Sequence, residues 1–349
     1  MDQTKTTVGG GLDRHRLERW MDAEGLPGTG SELIVTPLSG GSQNQLYELR
    51  RGTARLVLRG APAHADAARA ARMMREYRLV RALGGTDVPH ARAHAATDDP
   101  AVLGRPFYVM DHVEGWSPLP TGWPAPFDRD LQARAGLAFE LVDGIARLAR
   151  VDWQALGLDG FGRPDGFHER QVDRWTAFLD AYRFRELPGL DTAAAWLRDY
   201  RPKTYRPGIM HGDYQFANVM YAKGRPARLA AIVDWEMATV GDPLLDLGWA
   251  LITWSPEGDD MEHSRYLDYT GMPPRDALLD HYAKVSGRPV DEIDYYVVLA
   301  RFKLGIVLEQ SVARVAAANG GDPQASPFVH MVPELIRKAA ELSRTAVAR

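Results

Sequence analysis

Cysteine is absent from all 349 residues. Disulfides, zinc–thiolate sites and cysteine nucleophiles are therefore excluded outright. A surplus of either charge is missing as well: 42 Lys and Arg stand against 46 Asp and Glu, a formal net charge of −4. Such a balance leaves no electrostatic footprint for nucleic acid. Long hydrophobic runs are also lacking. The most apolar stretch near the C-terminus, Tyr295 to Leu308, is broken by Arg301 and Lys303, so no membrane span fits. Residues Met1 to Gly11 are polar and glycine-rich, without the apolar core of a signal peptide. The expected compartment is the cytoplasm. Asparagine occurs three times in the chain, and that scarcity gives one motif its weight.

The motif is His211-Gly212-Asp213-Tyr214-Gln215-Phe216-Ala217-Asn218, followed by Ile232-Val233-Asp234-Trp235-Glu236. An aspartate, an asparagine five residues on, and an aspartate ending a later strand suit metal-assisted phosphoryl transfer. Asp213 would accept or orient the proton of an attacking hydroxyl, while Asn218 and Asp234 hold Mg²⁺ on nucleotide phosphates. Hard, octahedral Mg²⁺ takes oxygen ligands and needs one or two carboxylates beside the phosphates. The bland alternative is a polar turn, for which Gly-Asp and Asn are ordinary residues. With so few asparagines, H-G-D-x(4)-N arises by chance in roughly one protein of this composition in a thousand. Chance is therefore the weaker explanation.

Apolar content of 45% and charged content of 25% are those of an ordinary globular protein, and the length allows two lobes with separate cores. After a polar tail expected to be disordered, Leu12 to Met21 reads as a short helix. Leu33–Val35, Leu46–Leu49 and Arg55–Arg59 are short, partly alternating runs between glycine-containing turns, which argues for an antiparallel sheet. Ala67 to Leu83 is a helix with Met73, Tyr77, Val80 and Leu83 at 3–4 spacing. Its arginines at 69, 72, 75, 78 and 81 recur every third residue, drift around a 3.6-residue helix, and are mostly a solvated face. Phe107–Met110 is a strand. Long amphipathic helices follow, beginning with Leu131 to Ala149 and Glu169 to Arg183.

HGDYQFANVMY (211–221) followed by AAIVDWEMATVGDPLLDLGWAL (230–251) resembles the aminoglycoside-phosphotransferase-like kinases, relatives of the protein kinases. GFGRPDGFHERQVDRW (160–175) and FYVMDHVEGW (107–116) are similar to the branch whose kinase domain is fused to some acyl-CoA dehydrogenases. The resemblance covers about residues 30 to 345. It implies an α+β, two-lobed protein-kinase-like fold, with a small antiparallel-sheet N-lobe and a larger, mainly helical C-lobe. The expected division is a tail and leading helix over 1–29, an N-lobe over 30–113 and a C-lobe over 114–349.

Roles follow by the same resemblance. The turn Leu38 to Asn44, with Gly41 and Ser42, would fold over the nucleotide phosphates, although it is not G-x-G-x-x-G. Arg59 would clamp those phosphates and Glu76 would pair with it. Protein kinases use Lys at the first position, and guanidinium differs in binding phosphate bidentately. Met110 would line the adenine pocket, and the Asp111 carbonyl and Val113 N–H would meet the base edge. His211 would support the loop, and Asp246 would brace it in place of binding metal. Where many family members carry a histidine, this chain has Arg147 and Arg150. The implied reaction is transfer from ATP, or GTP, to a hydroxyl on a small molecule, with Mg²⁺ as cofactor. A hydroxy acid or hydroxyacyl-CoA ranks first as acceptor, ahead of an aminoglycoside or a choline-like or sugar-like alcohol. The acidic run Glu257, Asp259, Asp260 and Glu262 reads first as a solvated loop. The competing class is a non-catalytic nucleotide-binding relative.

Overall fold

The computed structural model describes residues 7–8, 12–38, 44–62, 65–119, 122–254, 261–264 and 266–346. They form two compact units. The first comprises Met1–Gly115, Gln154–Leu158 and Ala230–Glu236; the second comprises Trp116–Trp153, Asp159–Leu229 and Met237–Arg349.

In the first unit, Thr7–Val8 (β1) pairs antiparallel with Leu12–Asp13 (β2), so part of the polar start is built into the fold. Asp13 then caps Arg14–Ala23 (α1) by accepting from the Arg16 N–H, which starts this helix two residues later than its apolar pattern does. A five-stranded antiparallel sheet follows. Its strands are Leu33–Leu38 (β3), Gln45–Arg51 (β4), Ala54–Gly60 (β5), Ala93–Thr97 (β6) and Phe107–Asp111 (β7), in the order β3-β4-β5-β7-β6. Leu17, Met21, Leu33, Leu49, Leu58, Phe107 and Val109 make its core against α1.

Between β5 and β6 runs Ala67–Ala82 (α2), capped by Asp66. Met73, Leu79 and Val80 are buried at helical spacing, and Glu76 is buried among them. A carboxylate on an apolar face needs a partner, which the site supplies. A short helix, Pro100–Leu103 (α3), lies before β7. Residues 230–236 join this unit where Ile232 N–H donates to Pro89 C=O beside a parallel bridge to His90.

The second unit is mainly helical: Leu131–Arg150 (α4), Gln171–Asp180 (α5), Leu190–Asp199 (α6), Leu244–Ala250 (α7), Arg275–Ser286 (α8), Ile293–Ala318 (α9) and Met331–Ala346 (α10). Helix α6 is not among the helices expected from the sequence. On α4, Leu137, Leu141, Ile145 and Leu148 recur at 3–4 spacing on the buried face. Helix α9 is buried all round over 295–300 and on one face beyond, packing on α5, α6, α7 and α10. The strand Gly208–Met210 pairs antiparallel with Thr239–Gly241, Met210 facing Thr239. His211 leaves the Met210–Thr239 end of this pair and Asp242 the opposite end, where Gly241 faces Gly208. No helix among the described residues is long and apolar enough to cross a membrane.

Candidate active site

In the first unit the structure brings together Arg59, Glu76 and Asp234. Arg59, at the end of β5, is 8% exposed, and Glu76 of α2 is 3% exposed. Arg59 Nη2 donates to Asp234 Oδ1 at 2.7 Å. Its Nε lies 3.0 Å from Glu76 Oε1 with the N–H not aimed at the oxygen, so charge holds that pair more than a directed hydrogen bond does. Tyr108, opposite Arg59 on β7, donates its hydroxyl to the same Glu76 oxygen at 3.0 Å. Burial works against the Arg59 charge, but Glu76, Tyr108 and Asp234 more than offset it and raise the guanidinium above its ordinary range. Burial likewise pushes the Glu76 carboxyl upward, with Arg59 and the Tyr108 hydrogen bond pulling the other way. An Arg held by two carboxylates is oriented before any ligand arrives.

Asp234 is the one non-glycine residue with positive φ, 65°, among the described residues. Aspartate tolerates this left-handed region, at a cost of about 1–3 kcal/mol. The kink aims the carboxylate at Arg59 while leaving the side chain partly exposed.

The charge on Glu76 can be tested alone. Glu76→Gln keeps the volume and leaves Arg59 with Asp234 as its remaining carboxylate. If Arg59 takes the phosphate role that the sequence resemblance implies, losing one of its charged partners is expected to weaken ATP binding about tenfold, near 1.4 kcal/mol, measured by calorimetry without any acceptor. An unchanged Kd would mean that Glu76 does not set the clamp.

In the second unit, Asp213 and Asn218 meet. Asn218 Nδ2 donates to the Asp213 carbonyl and to Asp213 Oδ2, both at 2.8 Å, while Gln215 Nε2 donates to Oδ1 at 2.8 Å. Two acceptors on one side fix the amide rotamer, so Asn218 Oδ1 faces the other way, free for a cation. Gly212 has φ 85°, and a Cβ there would come 2.5 Å from the Met237 carbonyl oxygen. Glycine is required at this turn. Asp246, 1% exposed on α7, accepts from His211 N–H at 2.5 Å and Gly212 N–H at 2.8 Å. Burial raises its carboxyl, opposed by His211, those N–H groups and Lys303. His211 itself is buried, with Nδ1 3.4 Å from the Asp213 nitrogen.

Met110 and Asp111 end β7, and Asp111 takes a 2.6 Å bond to His94 Nε2. Val113 N–H enters no hydrogen bond among the described residues, which leaves it available to a ligand. Gly41, Ser42, Glu257, Asp259 and Asp260 lie outside the described residues, and Glu262 is exposed. Trp249, Trp254 and Tyr269 are buried.

Two features escaped the sequence reading. Lys303 of α9 is 6% exposed and donates to the Gly212 carbonyl at 2.9 Å. Its signal was present, because Leu299, Lys303 and Ile306 share one helical face. The second is a buried trio in which Asp242 Oδ2 receives His168 Nε2 at 2.9 Å and the Tyr296 hydroxyl at 2.5 Å. It ties the 160–175 motif to α9.

Residues 34–285, well over half of the chain, match the model of the phosphotransferase enzyme family. Acyl-CoA dehydrogenase family member 11 of Gallus gallus is 28% identical over 349 residues, covering 95% of this chain and 44% of that protein. The chain thus spans less than half the length of such curated relatives. A crystal structure from Ralstonia eutropha, of a protein described as an aminoglycoside phosphotransferase, is 28% identical with a TM-score of 0.77, covering 97% of this chain and 98% of that one. The GDP complex of wild-type aminoglycoside 2'-phosphotransferase-IIIa is 15% identical with a TM-score of 0.59, covering 94% and 98%. The α+β, kinase-like fold expected from the sequence is thereby shown.

Proposed function

Because the chain belongs to the phosphotransferase enzyme family, we propose that it is a small-molecule kinase moving the γ-phosphoryl group of ATP to a hydroxyl of its acceptor. The observation that carries this reading is the Asp213 loop, where Gln215 and Asn218 hold both carboxylate oxygens through their side-chain amides. Asp213 takes the proton of the acceptor hydroxyl; the freed oxygen bonds to the γ-phosphorus as the bond to ADP breaks. Arg59 binds the phosphates as a fork. One amide oxygen and one carboxylate are hard oxygen donors, the kind that Mg²⁺ takes beside nucleotide phosphates. By the resemblance, Asn218 Oδ1 and the Asp234 carboxylate are the groups that would hold Mg²⁺, which would supply neutralisation of phosphate charge. Met110, the Asp111 carbonyl and Val113 N–H are assigned to the adenine.

For the acceptor, similarity to proteins named acyl-CoA dehydrogenase family members favours a hydroxy acid or hydroxyacyl-CoA. The test is ATP consumption by the full chain with hydroxyacyl-CoAs, aminoglycosides and small alcohols. Acceptor-dependent ADP formation that Asp234→Ala abolishes is expected. ATP binding with no turnover on any acceptor would instead identify a nucleotide-binding scaffold.

A further inference from the structure

Lys303 sits where a lysine is costly. An ammonium enclosed in protein loses its hydration, and a neutral Met or Leu would pack α9 with less penalty. Its Nζ lies 4.5 Å from the centre of the Trp249 ring and 5.4 Å from that of Trp175, so two indoles replace part of the water. One N–H goes to the Gly212 carbonyl. Gly212 is thus held at both ends, its N–H by Asp246 and its C=O by Lys303. The same peptide continues into the Asp213 N–H, which faces His211 Nδ1.

We propose that Lys303 is a positioning residue for the catalytic loop: its ammonium, seated between two indoles, fixes the peptide plane that carries Asp213. This rests on reading Asp213 as the base. A peptide next to a left-handed glycine is free to rotate unless both of its polar ends are tied. Rotation there would swing the Asp213 carboxylate away from the hydroxyl it serves. Three charged groups face the ammonium: Asp213 on the loop, Asp246 on α7 and Arg174 on α5. Burial pulls Lys303 down to about 8 from 10.5, with the two carboxylates opposing and Arg174 assisting. Between about 8 and 10.5 the unfolded chain holds a proton that the folded one has released. Stability therefore gains from this group as pH rises through that window, while loop positioning by the charge is lost.

The experiment compares Lys303→Met and Lys303→Arg with wild type in the full chain. Hydrogen exchange of peptides covering 208–218 is read without nucleotide. Mg·ATP turnover is read with an acceptor from the panel or, lacking one, with water. Lys303→Met removes a buried charge, so the fold is expected to persist; Lys303→Arg keeps the charge. Faster exchange confined to 208–218 is expected for Met. With it should come a kcat lower by about 10- to 100-fold at a KM for ATP within about threefold, the cost of a misplaced catalytic group. Arg should recover part of the kcat, and the Met variant should lack the alkaline fall of kcat near pH 8. Unchanged exchange at 208–218, or an increase spread evenly over the second unit, overturns the proposal, the latter making Lys303 a core support. Normal kcat in Lys303→Met beside an inactive Asp213→Asn overturns it and leaves the base in place. Full turnover in Asp213→Asn removes the base reading instead, and exchange alone then decides whether Lys303 holds the loop.

Discussion

Asp213→Asn is expected to lower kcat with ATP by about 10²- to 10⁴-fold, the range that a positioned general base contributes. The substitution changes one atom and almost no volume. It removes the only property the chemistry asks of this side chain, a carboxylate able to take a proton. It also disturbs the local network, since Gln215 and Asn218 each donate to a carboxylate oxygen and an amide can accept at one alone. Asp213 is half-buried, so the fold should survive. ATP binding should stay within about threefold of wild type, because the phosphate clamp assigned to Arg59 is untouched. Steady-state kinetics beside calorimetric ATP binding separates these effects. A kcat within threefold of wild type would leave Asp213 as a turn residue, and phosphoryl transfer would need another base.

How far the sequence led depended on distance along the chain. Asp213 and Asn218 are five residues apart, so one local turn suffices to join them, and spacing was informative. Arg59 and Asp234 are 175 residues apart, and no periodicity reports that. The contact follows from residues 230–236 packing with the sheet unit through Pro89 and Ile232, whereas an uninterrupted division at 113 assigns them elsewhere. The pairing of Glu76 with Arg59 follows from the resemblance alone, and its burial is hidden because a lone glutamate on an arginine-rich helix looks solvated. In the sequence, Lys303 shows only as a break in an apolar run. Its face of α9 would have marked it as buried, but only the fold shows that the face meets Gly212. Tyr296 passes for core by composition, and its hydroxyl becomes meaningful once Asp242 and His168 stand beside it. Residues 7–8 pair with residues 12–13, which a polar, glycine-rich string did not suggest.

The loop's stability and its chemistry converge on Asp246, where the largest loss of stability is expected. Asp246→Ala removes the acceptor for two buried N–H groups, those of His211 and Gly212. It also removes a carboxylate that offsets the buried Lys303 charge. Each orphaned donor costs about 1–3 kcal/mol, and breaking a buried charge partnership about 3–5 kcal/mol. The terms overlap, so a total of about 3–5 kcal/mol is expected, a large part of a typical domain's stability. Asp246→Asn should cost less, because its amide oxygen still accepts from one N–H while its NH₂ opposes the other. Lys303→Met placed on Asp246→Ala should recover some of the loss by removing the stranded ammonium, a coupling that two independent sites would not show. Urea unfolding of the four proteins measures this: the midpoint should fall for Asp246→Ala with the slope unchanged, and rise again in the double variant. Strict additivity of the two changes would show that Asp246 and Lys303 act on the loop separately.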